Sequence, residues 1–267
     1  MTKDAVSCAG SASVVSDVLE RRIQSFDEID ALIIDAVGLK SAPSTSSAVN
    51  ATLAQLDQVV ADSSLLKHPM LQRLSEGGYA DMDKAFNIFA ANHYVYSREF
   101  SRYLQIVLDK VADKEIGGPI EENMMEEAGN YEEDALAVME QHGVQRALFD
   151  KIPHKLLSRR FVEGVGIKVD ELGRNSPGGR FTDFMINMYS NGTACEALAV
   201  IGFAIEQTVS SMYEFIWKGL KEHTSYDDET IVFFPLHILV DDGHAELLRD
   251  SFIKQITGQW MVTADVD

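Results

Sequence analysis

Apolar residues recur along most of the chain at steps of three and four, the spacing that gathers them on one face of an α-helix. Over residues 13–37 the series Val15, Val18, Leu19, Ile23, Phe26, Ile29, Leu32, Ile33 and Val37 predicts an amphipathic helix or a broken pair, ended by Gly38. After a serine-rich loop around Pro43, a second helix is expected over 48–60, with turns at His68-Pro69 and Gly77-Gly78. Residues 85–111 read as one long helix, burying Phe86, Phe89, Ala90, Tyr94, Phe100 and Tyr103, stopped by Gly117-Gly118-Pro119. A helix is expected to resume at or just after Pro119, another follows Pro153 over 155–166, and Pro177-Gly178-Gly179 reads as a loop. Long apolar helices are predicted over 193–220 and 234–256. Sustained period-two alternation is absent, and residues 231–234 alone could form a strand, so the class is all-α.

Helix follows helix with short connections, nothing repeats, and 46% hydrophobic residues in a chain of 267 suffice for a full core. The longest apolar run, 231–240, is interrupted by Pro235 and His237 and is far short of the roughly 20 residues a membrane span needs. The first residues show no secretory signal, and two cysteines, Cys8 and Cys195, make no disulfide framework, so a cytoplasmic protein is expected. Forty-two acidic against 23 basic residues give a formal charge of −19, which disfavours nucleic acid and anionic membrane as partners. Cations remain natural partners, although most of this charge reads as solvated surface.

The sharpest chemical feature is His237-x3-Asp241-x2-His244. At about 100° per residue on one helix, these three fall within a sector of roughly 60°, on a face shared with Val240 and Leu248. Two imidazoles and a carboxylate facing a core are what a cation requires, whereas a structural histidine–aspartate ladder is the plainer alternative. Glu206 sits on the apolar stripe Ala199, Gly202, Phe203, Val209 and Tyr213, so it needs a buried partner, either an ion or an arginine. Gly202, one turn earlier, would leave open space beside it. His154 opens a helix whose core line is Leu157, Phe161 and Val165. Glu126 and Glu127 lie among nine acidic residues and one lysine over 113–134, a run that spacing alone reads as a solvated face. Carboxylates and imidazoles without thiolates suit Fe(II) or Mn(II) in a helix bundle. Cys195 reads as inert packing, and phosphate loops and the Gly-x-Ser-x-Gly elbow are absent.

Four segments together resemble a known family, the haem-oxygenase-like iron oxidases and oxygenases related to the chlamydial death-domain-associated protein. They are Asn123-x2-Glu126-Glu127-x-Gly129, His154-Lys-Leu-Leu-x3-Phe161, Ala197-Leu-Ala with Ala204-Ile-Glu206, and Phe233-Phe234-x2-His237-x3-Asp241-x2-His244. The resemblance spans about two thirds of the chain and implies a bundle of about seven helices over 66–267; it is silent on residues 1–65, which are expected to form an N-terminal helical extension packed on the bundle. It implies two Fe(II) ions per chain, O2 as co-substrate, and Glu126, His154, Glu206, His237, Asp241 and His244 as ligands. The family ordinarily places the first histidine close to the first glutamate on one helix. Here 28 residues separate Glu126 from His154, and the insertion 131–153 contains His142, so Glu127, Glu133 and His142 are alternatives for the first half of the site.

The activity implied is that of a non-haem iron enzyme in secondary metabolism, acting on a small amine, amino-acid derivative or carboxylate by N-oxygenation, oxidative decarboxylation or carbon–carbon cleavage. Arg98, Arg102, Arg159 and Arg160 are candidate anchors for a carboxylate. A homodimer is expected. The alternatives are a binding protein without turnover, a self-sacrificing oxygenase that consumes Tyr94 or Tyr96, and a metal-free relative of the thiaminase-II or quinone-cofactor synthase type, which the ligand set disfavours.

Overall fold

The computed structural model describes residues 46–111, 113–240 and 242–264. The expected helix over 13–37 and Asp241 lie outside the described residues. All described residues belong to one compact unit, Pro43–Asp267. Among them every regular element is helical, and residues 231–234 are helical rather than extended.

In chain order the helices are α1 (Ser46–Asp62), α2 (Pro69–Ser75), α3 (Met82–Ser97), α4 (Phe100–Leu108), α5 (Lys114–Glu127), α6 (Glu133–Gln141), α7 (His154–Gly164) and α8 (Pro177–Asn191). They are followed by α9 (Ala194–Ala199), a π-helical segment (Val200–Glu206), α10 (Gln207–His223), α11 (Asp228–Ile231), α12 (Phe233–Leu239) and α13 (Asp242–Ala264). Their starts obey local chemistry. The Asp81 carboxylate accepts from the Lys84 N–H at 2.9 Å, and His68 and Ser176 cap helices that open on Pro69 and Pro177. Thr193 and Glu196 form a reciprocal capping box.

Several expectations are corrected. The helix expected over 85–111 is two helices, turned at Arg98-Glu99; the buried stripe continues across the turn from Tyr94 to Tyr103, so the apolar period carries no mark of it. Gly117-Gly118-Pro119 does not stop a helix but lies inside α5, where Gly117 faces Leu108. Pro177-Gly178-Gly179 is the first turn of α8 rather than a loop, and its glycines let the backbones at Asn92 and Arg174 approach. The segment 234–256 is not one helix either, because α12 ends at Leu239 and α13 begins at Asp242.

The core is aromatic. Phe161 and Tyr213 meet Phe234 edge-on with ring centroids 4.8 and 5.3 Å apart, and Phe86, Phe149 and Phe252 are fully buried. Helix α10 runs through this core against α2 and α12, while α13 lies on the π segment and α5. Gly202 permits that last approach: a Cβ there would stand 3.2 Å from the Leu248 Cβ. The open space expected beside Glu206 at this glycine is therefore filled by α13. Helix α1 is tied to α13 by a bidentate pair between Arg249 and Asp57 at 2.6 and 2.8 Å. No helix among the described residues is long and apolar enough to cross a membrane.

Candidate metal centre

Five elements bring polar side chains to one place in this apolar interior. Helix α5 delivers Asn123 and Glu127 from the same face, one turn apart, and both are buried. Helix α7 brings His154 at its first position, the π segment ends on Glu206, and α12 and α13 carry His237 and His244. The widened π turn is a local departure from α geometry of the kind that recurs at functional sites, and it closes on Glu206.

Glu127, His154 and His237 form a tight group, with one ligand atom from each lying within 4.8 Å of the others. The His154 Nδ1 is 2.9 Å from the Glu127 Oε1, and the two imidazole centroids are 4.5 Å apart. That oxygen–nitrogen separation is close to the spacing of neighbouring ligands around one ion bound at about 2.1 Å. The tyrosine hydroxyl of Tyr131 holds the other nitrogen of His154. His237 donates from Nδ1 to the Phe233 carbonyl at 2.6 Å, which fixes the tautomer and leaves Nε2 as the lone-pair nitrogen. Burial, then the neighbouring His154, holds the His237 pKa well below the ordinary imidazole value, so the ring is neutral, as a ligand must be.

Beside this group, Glu206 accepts a hydrogen bond from the Asn123 carboxamide at 2.9 Å. Burial raises the Glu206 pKa, opposed by His244 and Asn123, while the charge of Glu127 raises it further. The partner of Glu206 in hydrogen bonding is thus an amide rather than an arginine. The His244 Nε2 meets the Glu126 Oε2 at 3.0 Å. Glu127, His154, Glu206 and His237 share the lining of a cavity of about 30 Å³, room for a single ion or water.

Of the residues expected from sequence, His154, Glu206 and His237 line this cavity, and Glu126 and His244 pair with each other at its flank. Glu127, weighed as an alternative to Glu126, is the glutamate that meets His154. His142 is exposed at the end of α6, bonded to the Val138 carbonyl, and Glu133 is exposed and paired with Arg146. His237 and His244 stand on two helices, α12 and α13, rather than on the one that the spacing argument assumed; tertiary packing aims them instead. Four arginines expected as substrate anchors are engaged elsewhere: Arg98 and Arg102 with Glu99, Arg159 with Glu163, and Arg160 with Glu229 and the Leu148 carbonyl. The Cys195 thiol, pushed up to about 11 by burial, stays protonated outside the centre.

Sequence reasoning gave Asn123 no role beyond its place in a motif and missed Tyr131. Asn123 had a signal, its i, i+4 relation to Glu127. Tyr131 had none, because its contact with His154 depends on how the insertion folds. The insertion closes on itself at Gly129, where φ is +86° and a Cβ would stand 2.7 Å from the Ile152 backbone. Lys151 donates its N–H to the Gly129 carbonyl at 3.0 Å, which seats His154 next to Glu127 despite their separation in sequence.

One carboxylate and two imidazoles, buried with open volume beside them, form the donor set of non-haem Fe(II) redox enzymes, and a buried carboxylate–imidazole cluster is most simply accommodated by a cation. Residues 87–261 match the family described as iron-containing redox enzymes, of haem-oxygenase type, and the chain belongs to that family. Among curated relatives, the 4-aminobenzoate synthase of Chlamydia muridarum (strain MoPn / Nigg) is 21% identical over 198 residues, covering 72% of this chain and 74% of that protein.

Proposed function

We propose that this protein is a non-haem, iron-dependent oxidase or oxygenase that uses O2 on a small organic substrate in biosynthesis, with two ferrous ions per chain. The observation that carries this reading is the buried Glu127–His154–His237 group, within a chain of an iron-containing redox family. These three would hold one ion; Glu126, Glu206 and His244, with Asp241, would hold the second. Ferrous iron supplies the electrons with which O2 is activated. The protein's own residues do the positioning. Phe233 and Tyr131 orient the two imidazoles, Asn123 orients Glu206, and Phe100, Phe233 and Val209 keep bulk water from the cavity.

N-oxygenation, oxidative decarboxylation and carbon–carbon cleavage are all compatible with this centre. A second reading has a specific observation behind it. Tyr96 lines the same cavity with its hydroxyl buried and unpartnered among the described residues, so it could be consumed by a self-sacrificing reaction, whereas Tyr94 lies in the aromatic core.

The test is anaerobic reconstitution with ferrous iron, counting bound metal, followed by exposure to air. Two ions per chain, and loss of metal in Glu127→Ala and His237→Ala, are expected. Fewer than one ion, unchanged by those substitutions, refutes the iron reading. A covalent mass change localised to Tyr96 selects the second reading over turnover.

A further inference from the structure

We infer that the substrate is an apolar organic molecule of drug-like size with one polar group at its inner end, received in a chamber beside the metal cavity; this deepens the reading above and rests on it. The chamber measures about 690 Å³ and lies between α2, α3, α8 and the run from the π segment into α10. Pockets of this size enclose most of a small organic ligand. Tyr96, Ile205, Val209 and Tyr213 line both the chamber and the metal cavity, so a ligand filling the first stands against the second.

The polar groups around the chamber are already engaged by the protein. Asp81 caps α3, Asn92 donates to the Ile88 carbonyl and accepts from Gly178, and the Thr208 hydroxyl donates to the Ala204 carbonyl. His93 and Tyr213 bond to each other at 2.6 Å. Two buried polar atoms remain without a partner among the described residues, the Tyr96 hydroxyl on the shared wall and the His93 Nδ1 beside Tyr213. A polar group at the inner end of the ligand would supply a partner for the Tyr96 hydroxyl on the shared wall. The charged side chains of the lining, Asp81 and Lys84, are both exposed, so a charge carried to the inner end of the chamber, beside Tyr96 and His93, would be buried without an opposite charge from them.

The rim carries the same chemistry. Leu65, Met70 and Ile88 line the chamber with exposures of 38%, 36% and 58%, and they are three of the six exposed large hydrophobic residues among those described. A cluster of exposed apolar side chains at a cavity mouth suits an apolar ligand passing it.

N-phenyl-1-naphthylamine, an apolar fluorophore with one N–H, serves as probe in titrations of the full-length protein, with iron content measured on the same samples. Saturable binding of one probe per chain is expected, weakened at least tenfold by Ala204→Phe and by Met212→Trp, which fill the chamber, and several-fold by Ile88→Glu at the rim. 1-Decanol should displace the probe, and L-tyrosine or L-lysine at tenfold higher concentration should not. Absence of saturable binding, equal affinity in both chamber-filling variants with folding intact by circular dichroism, or displacement by the amino acids overturns the proposal. Probe binding with no iron uptake sinks the enzyme reading while upholding the chamber, and iron uptake without probe binding does the reverse.

Discussion

At the residue scale, Glu127 and Glu126 are neighbours on α5 but differ by about 100° in direction, and that difference assigns them different partners. Glu127→Ala is expected to lose the His154–His237 ion outright. Asn123→Ala, which only releases Glu206, should weaken iron binding about 10- to 100-fold, the usual effect of removing a group that orients a ligand; an affinity unchanged by Asn123→Ala in an anaerobic iron titration would show that Glu206 needs no such support. His93 supplies a pH test of the interior. Burial holds its pKa down to about 4, against an ordinary 6.5, so between those values the unfolded chain binds a proton that the folded chain refuses. This contribution to stability is complete above pH 6.5 and falls by about 1.4 kcal/mol per pH unit as pH drops towards 4. Urea unfolding of the iron-free protein at pH 7 and pH 5 should therefore differ by about 2 kcal/mol less in His93→Phe than in wild type. An identical difference in both proteins would mean that His93 titrates normally.

Among the elements, the loop from α5 to α7 decides whether two ligands distant in sequence can meet. Gly129 holds a positive φ of 86° and abuts the Ile152 backbone, whereas Gly143, with φ of 82°, faces open space. Gly143→Ala should cost only about 1 kcal/mol and leave iron affinity intact. Gly129→Ala should cost about 3 kcal/mol or more, because strain and a backbone clash add, and should weaken iron binding as His154 moves from Glu127. Equal losses in the two variants, read by chemical unfolding and metal titration, would refute the role given to this closure. Element boundaries also show where sequence legibility stops. The capped start at Thr193 falls where the helix is expected, whereas Ser176 caps a helix whose first turn, Pro177-Gly178-Gly179, reads in sequence as a loop, and Asp81 caps one that begins three residues before the expected start. The turn at Arg98-Glu99 interrupts no apolar period, and Gly202, the glycine inside the π turn at Val200–Glu206, reads in sequence as space beside Glu206 rather than as a change of helix type.

For the whole molecule, the proposed ligands come from α5, α7, α12, α13 and the π segment and no one helix holds them, so iron binding is expected to be coupled to folding. Ferrous iron at a hundredfold excess over its dissociation constant should stabilise the fold by about 2.7 kcal/mol, a rise of roughly 5–10 °C in Tm under nitrogen that a chelator reverses. A Tm indifferent to iron would break that coupling. The formal charge of −19 belongs mostly to the surface, while Glu127 and Glu206 are carboxylates that the core retains.

From the sequence alone came the all-helical class, most helix positions, and the inward faces of His154 and Glu206, because apolar periodicity reports which face of a helix is turned inward; His237 and His244 are picked by a spacing along one helix that the structure divides between two. Only the tertiary structure chose Glu127 for His154, gave Glu206 an amide partner, set Tyr131 on His154 and opened an apolar chamber beside the centre. Those outcomes depend on non-local packing: the folded insertion closing at Gly129, α13 filling the space at Gly202, and α10 crossing the core, none of which the spacing of residues along one helix encodes.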